Sequence, residues 1–401
     1  MTKIDELIRE LCPDGVEYVR LGTLCSLITK QTGFDYTKHI KARLLMEPAE
    51  NAVPYIQTKF FAGKNFNYQT DYYVPMDIVE QFPKITLDEK CILFSIVGAS
   101  IGNIGLFPGE RKCFLGGAIC VAKVLPQYDV DYVYYCVESH NVQHQIRRKT
   151  KGAGQATITV EDIREFEIPL PPIEIQSEIV RILDNFTNLT AELTAELKAR
   201  GIQYSYYRNK LLTFHSDTKI VQLADIADIG TGSSNTNEAV EDGKYPFFVR
   251  SQEPLRKNDF EYDETAIITA GDGVGVGKVY HYVEGRYALH QRAYRIHINT
   301  PEVMPKYYFH YMKAKFLPYI QKTMFQGSVA SIRRPMLNAF PVPVPPLDVQ
   351  NRIVNVLDNF EKICSDLNIG LPAEIEARQK QYEYYRDKLL SFKEHEDGLS
   401  N

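Results

Sequence analysis

Two stretches of this chain gather cations, glycines and small polar side chains. Arg147-Arg148-Lys149 and Lys151 run straight into Gly152-Ala153-Gly154-Gln155-Ala156-Thr157-Ile158. Gln326-Gly327-Ser328-Val329-Ala330-Ser331 runs into Ile332-Arg333-Arg334. Guanidinium and ammonium groups bind phosphate oxygens, while amides, hydroxyls and arginine forks match base edges. Gly243-Lys244-Tyr245-Pro246-Phe247-Phe248-Val249-Arg250-Ser251-Gln252 is another such loop, and Pro54-Tyr55-Ile56-Gln57-Thr58-Lys59 is its counterpart. Any one of them alone reads as a solvated loop. Their recurrence in matching places of two halves favours nucleic acid.

Catalytic chemistry is harder to find. Gly271-Asp272-Gly273-Val274-Gly275-Val276-Gly277-Lys278-Val279 looks like a phosphate cradle. A P-loop would need glycine at Asp272 and Ser or Thr at Val279, and the GxGxxG spacing fails at Val276 and at Lys278. The run reads instead as a turn in which glycines let backbone come close to a ligand. No HExxH, GxSxG or Asn/Asp-Pro-Pro-aromatic motif occurs. The seven cysteines form no CxxC pair and read as reduced thiols. Nothing in the chain suggests a metal site or a cofactor of its own.

The elements that must position these loops are repeated. Ile179-Val180-Arg181-Ile182-Leu183-Asp184-Asn185-Phe186 returns as Ile353-Val354-Asn355-Val356-Leu357-Asp358-Asn359-Phe360. Tyr204-Ser205-Tyr206-Tyr207-Arg208-Asn209-Lys210-Leu211-Leu212-Thr213-Phe214 returns at 382–392 with eight of eleven positions identical. The offset falls from 202 at Val19/Val221 to 175 at Ile92/Ile267, so the first half carries 27 extra residues between them. It rises from 174 at Pro171/Pro345 to 178 at Tyr204/Tyr382, so the second half gains four near Asn368–Pro372. A duplicated chain has internal pseudo-two-fold symmetry, which duplex DNA shares locally.

The repeated segments read as long helices. Ile175, Ile179, Ile182, Phe186, Leu189 and Leu193 step by 4, 3, 4, 3 and 4, a heptad seam. Val349, Ile353, Val356, Phe360, Ile363 and Leu367 repeat it. Pro171-Pro172 and Pro345-Pro346 mark the two starts, because proline fits a helix start and not its interior. Gly370 and Pro372 should kink or interrupt the second helix. The intervening parts hold short β-rich runs cut by glycine turns, each followed by a Tyr-rich helix. The expected fold is α/β (α+β): two domains with curved sheets, at 1–167 and 216–340, separated by a two-helix antiparallel coiled coil from 168–215 and 341–401. With 44% apolar and 24% charged residues the chain reads as an ordinary soluble protein. No membrane span is expected and the location expected is cytoplasmic. A net charge of −5 does not advertise a nucleic-acid binder, so contact must come from local basic patches.

Taken together, the chain resembles the specificity subunit of type I restriction–modification systems over essentially its whole length. The carriers are the two copies of Ile/Val-Pro-Leu/Val-Pro-Pro-x3-Gln ending at Gln176 and Gln350, the repeated Leu-Asp-Asn-Phe, and Tyr-Tyr-Arg-x-Lys-Leu-Leu. Glu10-Leu11-Cys12-Pro13-Asp14-Gly15-Val16-Glu17-Tyr18 adds to them. The resemblance implies two target-recognition domains, each reading one half of a split double-stranded DNA sequence, with helices that set the spacer. It implies no catalysis in this chain. Two modification subunits would carry S-adenosylmethionine, and two restriction subunits would use ATP and Mg. Candidate DNA contacts are Gln57, Lys59, Arg147, Arg148, Lys149, Lys151, Gln155 and Thr157 in one half. Arg250, Ser251, Asp272, Lys278, Ser328, Ser331, Arg333 and Arg334 serve the other. Candidate docking residues for modification subunits are Tyr207, Arg208, Leu211, Tyr385, Arg386 and Leu389. A coiled-coil scaffold with protein-binding domains is the competing reading, which the charge favours slightly; a stand-alone methyltransferase is a third, disfavoured by the missing motifs.

If the helices act as a ruler, inserting four residues near Leu193 adds about 6 Å. The half-sites should persist while the gap between them widens by roughly two base pairs, at 3.4 Å each. Mapping methylated sites checks this, and an unchanged gap with methylation intact overturns the ruler.

Overall fold

The computed structural model describes residues 3–151, 156–323, 331–366 and 369–395. The chain divides into two compact units. One comprises 1–192 with 376–401, and the other 193–375. Each unit thus takes one recognition segment, one half of a 39-residue helix, Ile173–Leu211, and one helix from the second copy. That second copy is two helices, Leu347–Ser365 and Leu371–Leu389. Pro372 sits in the first turn of the latter, where it costs no hydrogen bond. Gly370 packs so tightly that a Cβ would lie 2.5 Å from the Lys362 carbonyl. The extra residues of the second copy therefore lie at a break, not in an added helical turn. Lengthening the first helix near Leu193 would make it differ from its counterpart in kind.

Within each unit the sheets follow one plan. In the first, strands order as Cys25–Lys30, Ile119–Val124, Cys91–Ser95, Ile104–Phe107. In the second, Ala227–Thr231, Ala293–Ile298, Tyr262–Ala270, Tyr280–Leu289 do the same. Each set has an antiparallel two-stranded companion at its base, Tyr18–Arg20 with Glu167–Pro169 and Ile220–Gln222 with Pro341–Pro343. One parallel pairing breaks each pattern: Tyr55 opposite Phe114, and Phe247 opposite Ala288. The ten-residue strand Tyr280–Leu289 makes both kinds of pairing, with Gly285 at φ +92° along the way. Its counterpart in the first unit is cut into Ile104–Phe107 and Cys113–Leu115, which join separate four-stranded sheets. All seven cysteines are free thiols.

The motifs shared by the two copies explain how the sheets are fixed to the helices. Gln176 and Gln350 are buried, and each donates its Nε2 to the carbonyl of the first proline, Pro171 or Pro345, at 2.8 Å. Tyr132 and Tyr307, fully buried, donate to the carbonyls of Pro169 and Pro343 at 3.0 and 2.9 Å. From the same helical faces, Tyr135 donates to Asp184 and His310 Nε2 lies 2.7 Å from Asp358. The Leu-Asp-Asn-Phe aspartate is thus the docking point for each recognition domain. Its phenylalanine also works: Phe186 stacks on Tyr385 at 5.4 Å and Phe360 on Tyr207 at 5.8 Å. Each stacking thus joins the long helix to one helix of the second copy within a single unit. Tyr382 donates to Glu138, and Tyr204 to Glu361 at 3.0 Å.

The two joints differ in one titratable group. His310 is fully buried, with Nδ1 3.9 Å from a Glu361 oxygen. Burial pushes its imidazole below the usual range, while the Glu361 and Asp358 carboxylates pull the other way and Lys306 adds to the depression. An imidazole held neutral in the fold loses stability as pH falls through its unfolded value toward the lower folded one. Acidification from about pH 7.5 to about 5.5, across the free imidazole's ~6.5, should therefore destabilise the second unit more in the native protein than in His310→Gln. Thermal unfolding at the two pH values checks it, and equal slopes would contradict it.

Candidate nucleic-acid interface

The second unit gathers its polar loops around one carboxylate. The strand Tyr262–Ala270 ends in the glycine run, a turn with Gly273 at φ +80° and Gly277 at φ +68°, not a helix start. It offers no helix N-terminus to a phosphate. Its glycines have another use. A Cβ on Gly275 would lie 2.5 Å from the Arg250 carbonyl, and one on Gly271 2.7 Å from the Arg292 carbonyl. Only glycine lets both flanking loops close on this turn. Arg250 Nη1 then reaches Asp272 Oδ1 at 2.6 Å, and Arg292 Nη1 reaches Oδ2 at 3.3 Å. The Asp272 backbone also pairs antiparallel with that of Ser331, and Ile332 N–H donates to the Gly271 carbonyl at 2.8 Å. That brings Ser331 and Arg333 to the same turn.

Other expected residues fall nearby with different duties. Ser251 donates to the Glu253 carbonyl at 2.7 Å and shapes its own turn. Lys278 is exposed on the glycine turn. Arg333 caps the short helix Arg334–Asn338 and is exposed. Arg334 is tied to the Ile229 carbonyl, so part of its guanidinium is already spent. Ser328 lies outside the described residues.

The first unit repeats the plan with other side chains. Gly98 N–H donates to the Ala156 carbonyl at 2.9 Å, and Val97 bridges to Thr157. Thr157 and Lys151 also exchange backbone hydrogen bonds, so the cation-rich end of the helix His140–Lys149 is stapled to the strand-end turn. Arg147 and Arg148 are exposed there, and Lys149 is half-buried. Gln155 lies outside the described residues. Gln57 begins a helical turn beside a cleft of about 310 Å³ lined by Tyr36, Tyr55, Thr58, Gly116 and Gly117. Its Oε1 is buried without a partner. Lys59 pairs with Asp71.

The expected docking residues are mostly occupied within their own units. Tyr385 and Tyr207 stack on phenylalanines, as above. The Arg386 side chain is 11% exposed, bonds Asp387 at 3.0 Å and lies over the Tyr382 ring. Arg208 lies over Tyr204. Leu211 and Leu389 pack on their units' cores. The aromatic rings left outward are Tyr206 and Tyr384, equivalent positions 60% and 62% exposed. The sequence reading passed over both. Their signal was the two adjacent tyrosines in each repeat, of which one faces in and one out. It also passed over Arg292, where the first copy has Ala118.

A cluster of His310, Asp358 and Glu361 has the composition of a metal site. Lys306 lies 3.8 Å from Asp358 and Lys313 2.7 Å from Glu361, and two ammonium groups oppose a cation there. The cluster serves as the joint already described. Among the described residues, no helix is long and apolar enough to cross a membrane.

The family profile of the type I restriction modification DNA specificity domain matches residues 13–200 and 215–377. The chain is 37% identical over 261 residues to the type I restriction enzyme EcoR124I/EcoR124II specificity subunit of Escherichia coli, covering 57% of this chain and 63% of that protein. It thus spans less than two thirds of that relative. It is 30% identical over 267 residues to the putative type I restriction enzyme specificity subunit S.HindORF215P of Haemophilus influenzae, covering 60% and 68%. Two solved structures share the fold at 15% identity. The type I restriction-modification S subunit from M. genitalium has a TM-score of 0.58, with 94% of this chain and 96% of that one covered. A chain from a study of complex assembly and conformational transition of the type I R-M system has 0.62, with 95% and 98% covered. The duplicated scaffold and the two matched segments agree, and the chain belongs to the type I restriction modification DNA specificity family.

Proposed function

We propose that this chain is the DNA-reading, non-catalytic component of a type I restriction–modification complex, each unit recognising one half of a bipartite duplex target. One observation carries the reading. Equivalent loops on equivalent scaffolds present different chemistry: Gln57, Thr58 and Gly116-Gly117 in one unit, Arg250 and His290-Gln291-Arg292 in the other. A shared frame with private loops is what two different half-sites need. The methyl donor, S-adenosylmethionine, and the ATP and Mg of cleavage belong to partner subunits. Two modification and two restriction subunits match the internal two-fold character of the chain.

Recognition and partner binding are separable. Replacing residues 216–340 by the equivalent domain of a relative should change one half-site and leave the other; methylated-site mapping in the assembled complex reads this, and changes in both halves would refute modular reading. Arg147→Ala and Arg148→Ala should weaken binding to all sequences alike and lower the salt-dependence slope by roughly one unit per lost phosphate contact.

Tyr206 and Tyr384 are proposed as the anchors for modification subunits, since exposed tyrosine is favoured at interface cores. Tyr206→Ala with Tyr384→Ala should abolish co-purification with the modification subunit at unchanged thermal stability. Retention of the complex would return docking to the inward-facing set.

A further inference from the structure

Asp272 holds two arginines from two different loops, and the described residues of the first unit do not repeat the arrangement. At the matching places the first unit has Thr58 for Arg250 and Gly116-Gly117 in the loop that carries Arg292. The device is therefore private to one half and is not part of the frame.

Its construction is costly in sequence. Glycine is needed at 271 and at 275 for the Arg292 and Arg250 carbonyls to approach. His290 is buried, and its Nδ1 accepts the Arg292 backbone N–H at 3.0 Å, which fixes the base of that loop. Burial, with Arg250 and Arg292 nearby, keeps this imidazole below its usual range, so the loop gains no further cation. The cluster then has two guanidiniums and one carboxylate. The Arg292 side chain is 60% exposed, Arg250 40% and Asp272 23%. Each arginine meets Asp272 through Nη1, leaving Nη2 and Nε for a ligand.

Lysine holds a phosphate as a point charge, whereas arginine's planar fork can hold either a phosphate or a base edge. A guanidinium clamped by a carboxylate is restricted in orientation, which suits a planar, bidentate acceptor. Among DNA edges that acceptor is the O6/N7 pair of guanine in the major groove. We propose that Arg292, positioned by Asp272 and Arg250, reads a guanine in the half-site of the second unit. This rests on the DNA-reading function proposed above and names the base that one part of it selects.

The test uses the full chain assembled with its modification subunits. Its methylated target is mapped first, and binding is then measured on duplexes carrying guanine or 7-deazaguanine, which lacks N7, at each guanine of the second half-site. At one position the native complex should bind the 7-deazaguanine duplex more weakly, by less than the roughly 5- to 150-fold that a whole bidentate contact is worth, because O6 remains. Arg292→Ala should bind the two duplexes equally and lose discrimination at that base pair alone. Asp272→Asn should bind target more weakly and discriminate less there, while the first half-site is read as before. A second half-site without guanine, or no 7-deazaguanine effect at any position, overturns the assignment without any variant having to fold. If Arg292→Ala weakens every sequence alike and lowers the salt slope, Arg292 is a phosphate contact and the inference fails while domain reading stands. If the 216–340 replacement leaves both half-sites unchanged, the DNA-reading function itself fails.

Discussion

The hydrogen bond from a recognition-domain helix to the aspartate of Leu-Asp-Asn-Phe is what the rest of this protein depends on. Tyr135 makes it in one unit and His310 in the other. Loops that read a sequence must hold their place to within a fraction of an ångström, and they can be no better placed than the frame that carries them. Bonds to charged acceptors contribute about 1.5–3 kcal/mol each. The aspartates are 39% and 33% exposed, so solvent screening moves the value toward the low end. Energy alone is then less important than direction. The buried tyrosine to the proline carbonyl adds a further tie in both units, the buried glutamine braces each helix start, and in the second unit Gln350 also bonds Glu302 and Met304.

This explains why the motif residues recur when so much else has changed. The seam of apolar residues and the Pro-Pro starts made the helices legible from sequence alone. So did the interruption, because Gly370 and Pro372 cannot both continue a helix. The inward role of Tyr207, Tyr385 and Arg386 was not legible. A helical repeat tells which residues share a face; it does not tell whether that face meets the chain's own domain or a stranger. Asp184, Asp358 and Phe186 looked like seam and flank, and the structure gives them the joint.

The candidate interface was legible in part for a similar reason. Basic loops advertise themselves, and Arg147, Arg148 and Arg250 sit where cations could reach a ligand. Arg334 is exposed too, with one Nη already held by a backbone carbonyl. Arg292 was silent, since comparison of the halves highlights what they share and its loop is where they differ. The glycine run was misleading as a nucleotide motif and informative as a packing motif. Its glycines are set by two neighbouring carbonyls that lie far away in sequence, which no local pattern can encode.

The first unit closes on itself across the full length of the chain. Val16 N–H donates to the Lys393 carbonyl, His395 N–H returns to Val16, and Tyr18 donates to the Phe392 carbonyl. During synthesis the first half of the protein emerges early and then waits. At about 5–20 residues per second the ribosome needs tens of seconds to make the remainder. Until Tyr382 and its neighbours arrive, Glu138 and Phe186 lack their partners and an aromatic face stands open. The second unit, made of uninterrupted chain, can finish first. The segment 376–395 is thus the clasp that shuts the first unit, and it is made after the whole of the second.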